Sequence, residues 1–225
     1  MAEPRNYAEV LARNYVPGRD FTVTFGDNNV DQCLLVSPHG GGIEPGSSEI
    51  MRAVAELGGW AFYDFAGYLR QGNKEALHIT STRFDEPTLT GLLSRAAFAV
   101  AFHGASSSEE AVAFVGGRWT LGRHALIEAI NASWKEHGIR AEDATETPAA
   151  EHLRGLERDN LTNRGRLQEG VQIEFSRGAR DLLFPPSCSR EARGRRSKKL
   201  RPLARSMEGA IDYLRRTAAE RLRQT

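Results

Sequence analysis

Residues 34–50 read LLVSPHGGGIEPGSSEI, an apolar run followed within a few positions by His39, three consecutive glycines, Glu44 and Glu49. Imidazole and carboxylate are the side chains that bind a divalent metal or exchange protons near neutral pH. A second apolar run, AAFAVAFHG at 96–104, also ends in a histidine, His103. In a doubly wound sheet ligands sit outside the carboxyl ends of the strands, so two strand-end histidines face one crevice. Glycines permit positive φ, and Pro45–Gly46 completes a turn, which returns Glu44 to the side of His39. Two imidazoles and one carboxylate form the protein ligand set of an open catalytic zinc site, whose fourth position is kept for water. The predicted metal ligands are therefore His39, Glu44 and His103. Taken singly, each histidine reads equally well as a hydrogen-bonded rim residue, and their meeting depends on the fold.

A third carboxylate lies in GVQIEFSRG, where Glu174 sits within a strand otherwise built from Val171, Ile173 and Phe175. A carboxylate on a buried surface is paired or functional. If its face looks into the crevice, Glu174 is a base positioned to take a proton from an attacking water. The alternation permits another reading, in which Gln172, Glu174 and Ser176 line the solvent face of an edge strand. Upstream, NLTNRGRLQEG groups Asn160, Asn163, Arg164 and Arg166, where an arginine could fork onto a substrate carboxylate or simply be solvated.

These residues need a scaffold. The runs QCLLVSPHG, WAFYDFAG, ALHITST, AAFAVAFHG, EAVAFVGG and GVQIEFSRG read as buried strands closed by Gly, Ser or Pro. Between them GSSEIMRAVAELGG predicts a helix with serine caps and a terminal glycine pair, and RHALIEAINASWKEHG one with Leu126, Ile130 and Trp134 on its packed stripe. Strands alternating with helices predict an α/β fold, a mostly parallel mixed sheet flanked by helices. No linker or repeat interrupts residues 1–225, which read as a single domain. The run SCSREARGRRSKKLRPLAR at 187–205 differs, with eight cations against Glu191, and predicts an exposed mobile loop. After it, SMEGAIDYLRRTAAERLR predicts a closing helix packed through Met207, Ile211 and Leu214.

Of the 225 residues 40% are hydrophobic and 26% charged, with a net charge of +1, which excludes a disordered chain and a polycation built for nucleic acid. Cys33 and Cys188 are the two cysteines, too few for a disulfide framework or a cysteine zinc site. The opening MAEPRNYAEVLARNY lacks an apolar signal core, and no run nears the roughly 18 apolar residues that cross a bilayer. The expectation is a cytoplasmic monomer without membrane contact, released, if at all, by lysis.

In order, SPHGGGIEPGSSEI, LHITSTRFDEP, AFHG, NLTNRG and GVQIEFSRGAR resemble the poly-γ-glutamate hydrolase family, over about residues 30–184. The resemblance implies a zinc peptidase of carboxypeptidase-like α/β fold that cleaves γ-glutamyl amide bonds in an anionic polymer. It implies His39, Glu44 and His103 as zinc ligands, Glu174 as the catalytic carboxylate, and Asn163–Arg164 as the substrate-carboxylate pair. His78 and Asp85 in LHITSTRFDEP are candidates for orienting the ligands, with a structural role equally open. Two departures stand out: four residues separate His39 from Glu44, where the wider carboxypeptidase group has two, and the Asn-Arg pair follows the last histidine. Two other functions compete, a zinc deacylase of small N-acyl amino acids and a non-enzymatic protein binding polyanions or nucleic acid through 187–205. The second leaves both histidines unexplained.

Overall fold

The computed structural model describes residues 2–106, 109–184, 190–194 and 200–224. All of its strands join one sheet: β1 (Phe21–Gly26), β2 (Leu34–Gly41), β3 (Ala61–Gly67), β4 (Ala99–Gly104), β5 (Val112–Gly116), β6 (Arg140–Asp143) and β7 (Val171–Phe175). Their order is β1-β3-β2-β4-β7-β5-β6, with β1 antiparallel to β3, β5 antiparallel to β7, and the other pairs parallel. The expected α/β class with a mostly parallel mixed sheet is what the chain adopts.

The helices are α1 (Tyr7–Ala12), α2 (Ser47–Gly58), α3 (Asn73–Leu77), α4 (Pro87–Arg95), α5 (Thr120–Trp134), α6 (Arg177–Leu183), α7 (Arg190–Gly194) and α8 (Leu200–Arg223). Strand side chains alternate between the sheet faces, and the core divides accordingly. Leu35, Val100, Phe102 and Ile173 meet α2, α5 and α8, while Leu34, Val36, Ala99 and Ala101 meet α1, α3 and α4. The stripes Leu126–Ile130–Trp134 and Met207–Ile211–Leu214 are buried as their spacing predicts.

Four local expectations need correction. ALHITST is not a strand: Ala76 and Leu77 end α3, and His78 follows as its cap. Its few apolar residues suit either period, and the Asn73 amide decides by bonding both the N–H and the carbonyl of Leu69. Ser47 and Ser48 do not cap α2. Its cap is Gly46 at φ +104°, and the serines bond inward, Ser47 to the Glu44 carbonyl and Ser48 to Asp64. Glu174 does not lie on an edge strand, since β7 runs between β4 and β5. The basic run is helical where described: Arg193 in α7 pairs with Glu49 at 3.1 Å, and Leu200 and Leu203 are buried in α8. Residues 187–189 and 195–199, with Cys188, lie outside the described residues.

Candidate active site

The register of β2 against β3 shifts between Ser37 and Gly40. Such a bulge accommodates Pro38, which has no N–H to give the ladder, and re-aims the side chain that follows, His39. Gly41 at φ +67° then turns the chain, and the Glu44 N–H donates to the His39 carbonyl at 2.9 Å. Glu44 thus returns beside His39, as the glycine pattern predicts. The Gly104 N–H, at the end of β4, donates to Glu44 Oε2 at 2.8 Å and fixes the carboxylate.

His39 Nε2 lies 2.8 Å from the Ile79 carbonyl. A carbonyl only accepts, so the proton is on Nε2 and a lone pair on Nδ1 faces the crevice. His39 Nδ1 is 3.1 Å from His103 Nδ1 and 3.2 Å from Glu44 Oε1, and His103 Nδ1 is 3.5 Å from Glu44 Oε2. Two atoms each about 2.0–2.1 Å from a tetrahedral zinc stand roughly 3.3–3.4 Å apart. The two Nδ1 atoms and the two Glu44 oxygens they approach therefore lie at spacings near those between an ion's ligands, and His103 Nε2 remains buried without a hydrogen-bond partner among the described residues. His78 forms another possible group with His39 and Glu44, its ligand atoms within 4.8 Å. In that group His78 Nε2 is 3.7 Å from Glu44, and His78 Nδ1 is engaged by Glu3 at 2.8 Å. His78 instead stacks on His39, with ring centroids 4.0 Å apart, which suits an orienting role. Asp85 does not share it: its carboxylate accepts from the Tyr7 N–H at 2.7 Å and anchors α1.

Glu174 is the register partner of His103, on the same sheet face, and both line a crevice of about 530 Å³ with His39 and Glu44. Burial raises the Glu174 carboxyl above its ordinary value, and the charge of Glu44 adds to the shift. Burial acts on Glu44 too, but His39 and His103 outweigh it and hold that carboxyl well below the usual range. Burial opposes a charged His103, yet Glu174 and Glu44 prevail and raise its pKa. For His78 burial and the neighbouring His39 lower it to about 3. Two carboxyls in one crevice are thus driven in opposite directions, the pattern that separates an ionised ligand or stabiliser from a proton carrier.

Asn163 and Arg164 are not brought to this crevice. The Asn163 amide is buried and donates to the carbonyls of Gly155 and Glu157 while accepting from Arg118 and Gly170. The Arg164 guanidinium bonds the carbonyls of Asp159, Phe84 and Ser81, leaving no free fork for a substrate. Arg166 bonds the Asp31 carbonyl.

A family model described as poly-gamma-glutamate hydrolase matches residues 5–205. The chain belongs to the poly-γ-glutamate hydrolase family. Relatives of the chain in Bacillus subtilis strain 168 include the UPF0714 protein YmaC, 32% identical over 184 residues, covering 81% of this chain and 73% of YmaC. The SPβ prophage-derived UPF0714 protein YoqZ is 34% identical over 153 residues, 68% of this chain and 52% of YoqZ. Among solved structures, a bacteriophage poly-gamma-glutamate hydrolase superposes with a TM-score of 0.83 at 31% identity, over 95% of this chain and 98% of that one. A zinc-free apo form of YndL gives 0.80 at 26%, over 94% and 98%.

Sequence reading overlooks several lining and bracing residues. Lys74, His152 and Glu157 line the crevice together with Asn160 of the polar cluster, and Arg180 ties the carbonyls of Pro45, Ala105 and Phe175 together at 3.0, 2.9 and 3.1 Å. A side chain added at Gly104 would meet that guanidinium at 2.9 Å. Arg180 lies in the quoted GVQIEFSRGAR, but nothing in spacing reveals that one arginine joins three loops. Among the described residues no helix is long and apolar enough to cross a membrane.

Proposed function

We propose that the chain is a zinc-dependent amide hydrolase cleaving the γ-glutamyl bonds of poly-γ-glutamate. Two imidazole Nδ1 atoms and the Glu44 carboxylate oxygens, with contacts of 3.1–3.5 Å, beside a register-paired buried glutamate are the observation that carries this reading. His39, Glu44 and His103 would hold the ion, whose chemistry is to polarise the scissile carbonyl and acidify the attacking water. Glu174, with its raised carboxyl value, accepts one proton from that water as the oxygen adds to the carbonyl carbon. The same Oε–H then gives the proton to the departing α-amine nitrogen as the C–N bond breaks. Gly104 N–H and the His39 backbone carbonyl hold the Glu44 turn in place throughout. Asn163 and Arg164 take no part in holding substrate here; Lys74 is the cation on the crevice wall.

Family membership and the bacteriophage hydrolase at a TM-score of 0.83 support this substrate, and the zinc-free form of YndL supports the metal. A deacylase of small N-acyl amino acids needs a closed pocket, whereas Lys74 stands in the walls of both this crevice and a neighbouring cleft. The test is an assay of purified protein on γ-linked and α-linked polyglutamate. The expected result is cleavage of the γ-linked polymer alone, abolished by chelation and restored by zinc. No cleavage of γ-linked polymer with zinc present would contradict the proposal.

A further inference from the structure

The crevice is poor in cations for an enzyme of a polyanion. Glu44, Glu157 and Glu174 line it, and Lys74 is its only lysine or arginine among the described residues. Each residue of γ-linked polyglutamate carries a free α-carboxylate, so the parts of the chain flanking the cut bond need countercharge elsewhere.

A second cleft of about 650 Å³ adjoins on the Lys74 side, with Arg70, Lys74 and Arg193 in its lining. The glycine loop of β2 separates the two: His39 and Glu44 line the crevice, and Gly42 lines the cleft. This dividing wall is closely packed. A side chain at Gly42 or Gly67 would meet the Asn73 amide at 2.6 Å, and that amide is fixed by two bonds to Leu69. Lys74 lies one helical turn before His78, so its ammonium overlooks the passage between clefts, and its charge contributes to lowering the His78 pKa. Arg193 is held by Glu49, and Glu75 also faces the cleft, so the attraction rests on Arg70 and Lys74. Both are exposed, and neither side chain has a partner among the described residues.

We infer that this cleft is an anion subsite that takes the free carboxylates of γ-glutamyl residues lying beyond the scissile bond, with the polymer leaving the crevice over Gly42 and past Lys74. Glu157, which also lines the crevice, repels the same chain and adds to the need for countercharge in the cleft. The inference rests on the hydrolase reading for its substrate, and the subsite predicts that longer substrates are used better.

The test compares zinc-loaded wild type with Arg70→Gln/Lys74→Gln on a γ-linked glutamate dimer and decamer, alongside calorimetric binding of the decamer to chelated, metal-free protein. Wild type should prefer the decamer, and the double variant should lose about five- to twentyfold of that preference at low salt, the range expected for two exposed ion pairs. The loss should appear in KM, be matched in decamer binding, and shrink as salt shortens the screening length from about 30 Å at 0.01 M to 8 Å near 0.15 M. Hydrolysis with an unchanged decamer preference, or unchanged decamer binding, would overturn the subsite and leave the hydrolase reading intact. Equal weakening of an α-linked decamer bound as tightly would also overturn it, leaving a general polyanion patch. Absence of all γ-hydrolysis with zinc, together with weakened decamer binding, would sink the hydrolase reading and retain the cleft as an anion site.

Discussion

Among the described residues, two of the places where charged side chains are buried are built in opposite ways. Arg123 and Asp143 join α5 to the end of β6 at 2.9 Å, with Arg123 also donating to the Gly117 carbonyl and Asp143 accepting from the N–H and hydroxyl of Thr145. One positive charge meets one negative charge, and both Asp143 oxygens accept hydrogen bonds. In the crevice two imidazoles and two carboxylates crowd together, two ring nitrogens face each other at 3.1 Å, and one ring nitrogen has no partner among the described residues. The first arrangement is complete as folded; in the second, the Nδ1 atoms of two imidazoles and a carboxylate converge on one point, as the ligands of an ion would. Burial of charge alone does not mark a functional site, whereas titratable groups crowded around one point in a crevice do.

The largest expected effect breaks the complete cluster. Arg123→Ala leaves Asp143 buried and uncompensated, which should cost about 3–5 kcal/mol of stability and lower Tm by roughly 6–20 °C, with zinc content per folded molecule unchanged. Calorimetric melting with metal analysis checks both. The pair should also shape acid stability. Burial acts against the charged Asp143, but Thr145 and Arg123 outweigh it and lower its pKa below the ordinary 3.8. A carboxylate lowered in the folded state contributes stability above its unfolded value and loses it as pH falls through the folded one. Asp143→Asn should therefore flatten the loss of stability below about pH 3.8 seen in wild type.

In the incomplete cluster the same kind of neutralisation should act on chemistry instead. Glu174→Gln should reduce kcat on the order of 10² or more while fold and metal remain. Near-normal turnover would return Glu174 to a structural role beside Gln172. Smaller again is Arg180→Met, which frees three loop carbonyls around the site and should weaken zinc affinity about tenfold, as loss of an outer bracing contact does. Smallest on catalysis is Arg164→Gln. Its guanidinium serves backbone carbonyls, so kcat/KM per folded molecule should change less than about threefold while Tm falls by a few degrees. A large rise in KM would restore Arg164 as a substrate residue.

The contrast also explains what the sequence discloses. His39, Glu44 and His103 were legible because strand ends and glycine turns are local signals, and the sheet places strand ends together. Glu174 was half legible: alternation put it opposite Ile173 and Phe175, but only strand order could tell an edge from the interior. Asn163 and Arg164 misled because a polar loop motif looks the same whether it binds substrate or its own carbonyls. Strands β1 and β6 were not anticipated, the first half exposed at the sheet edge and the second written in polar residues. Arg180 and Lys74 were invisible for a different reason, since their roles lie in contacts across long sequence separations.

The most direct test of the account is the zinc content of purified wild type and His103→Ala, measured together with their melting temperatures. Wild type should hold close to one zinc per chain and be stabilised by added zinc, and the variant should lose most of the zinc and all of that stabilisation. Undiminished zinc in His103→Ala would contradict the assignment and point to His78 as the third ligand.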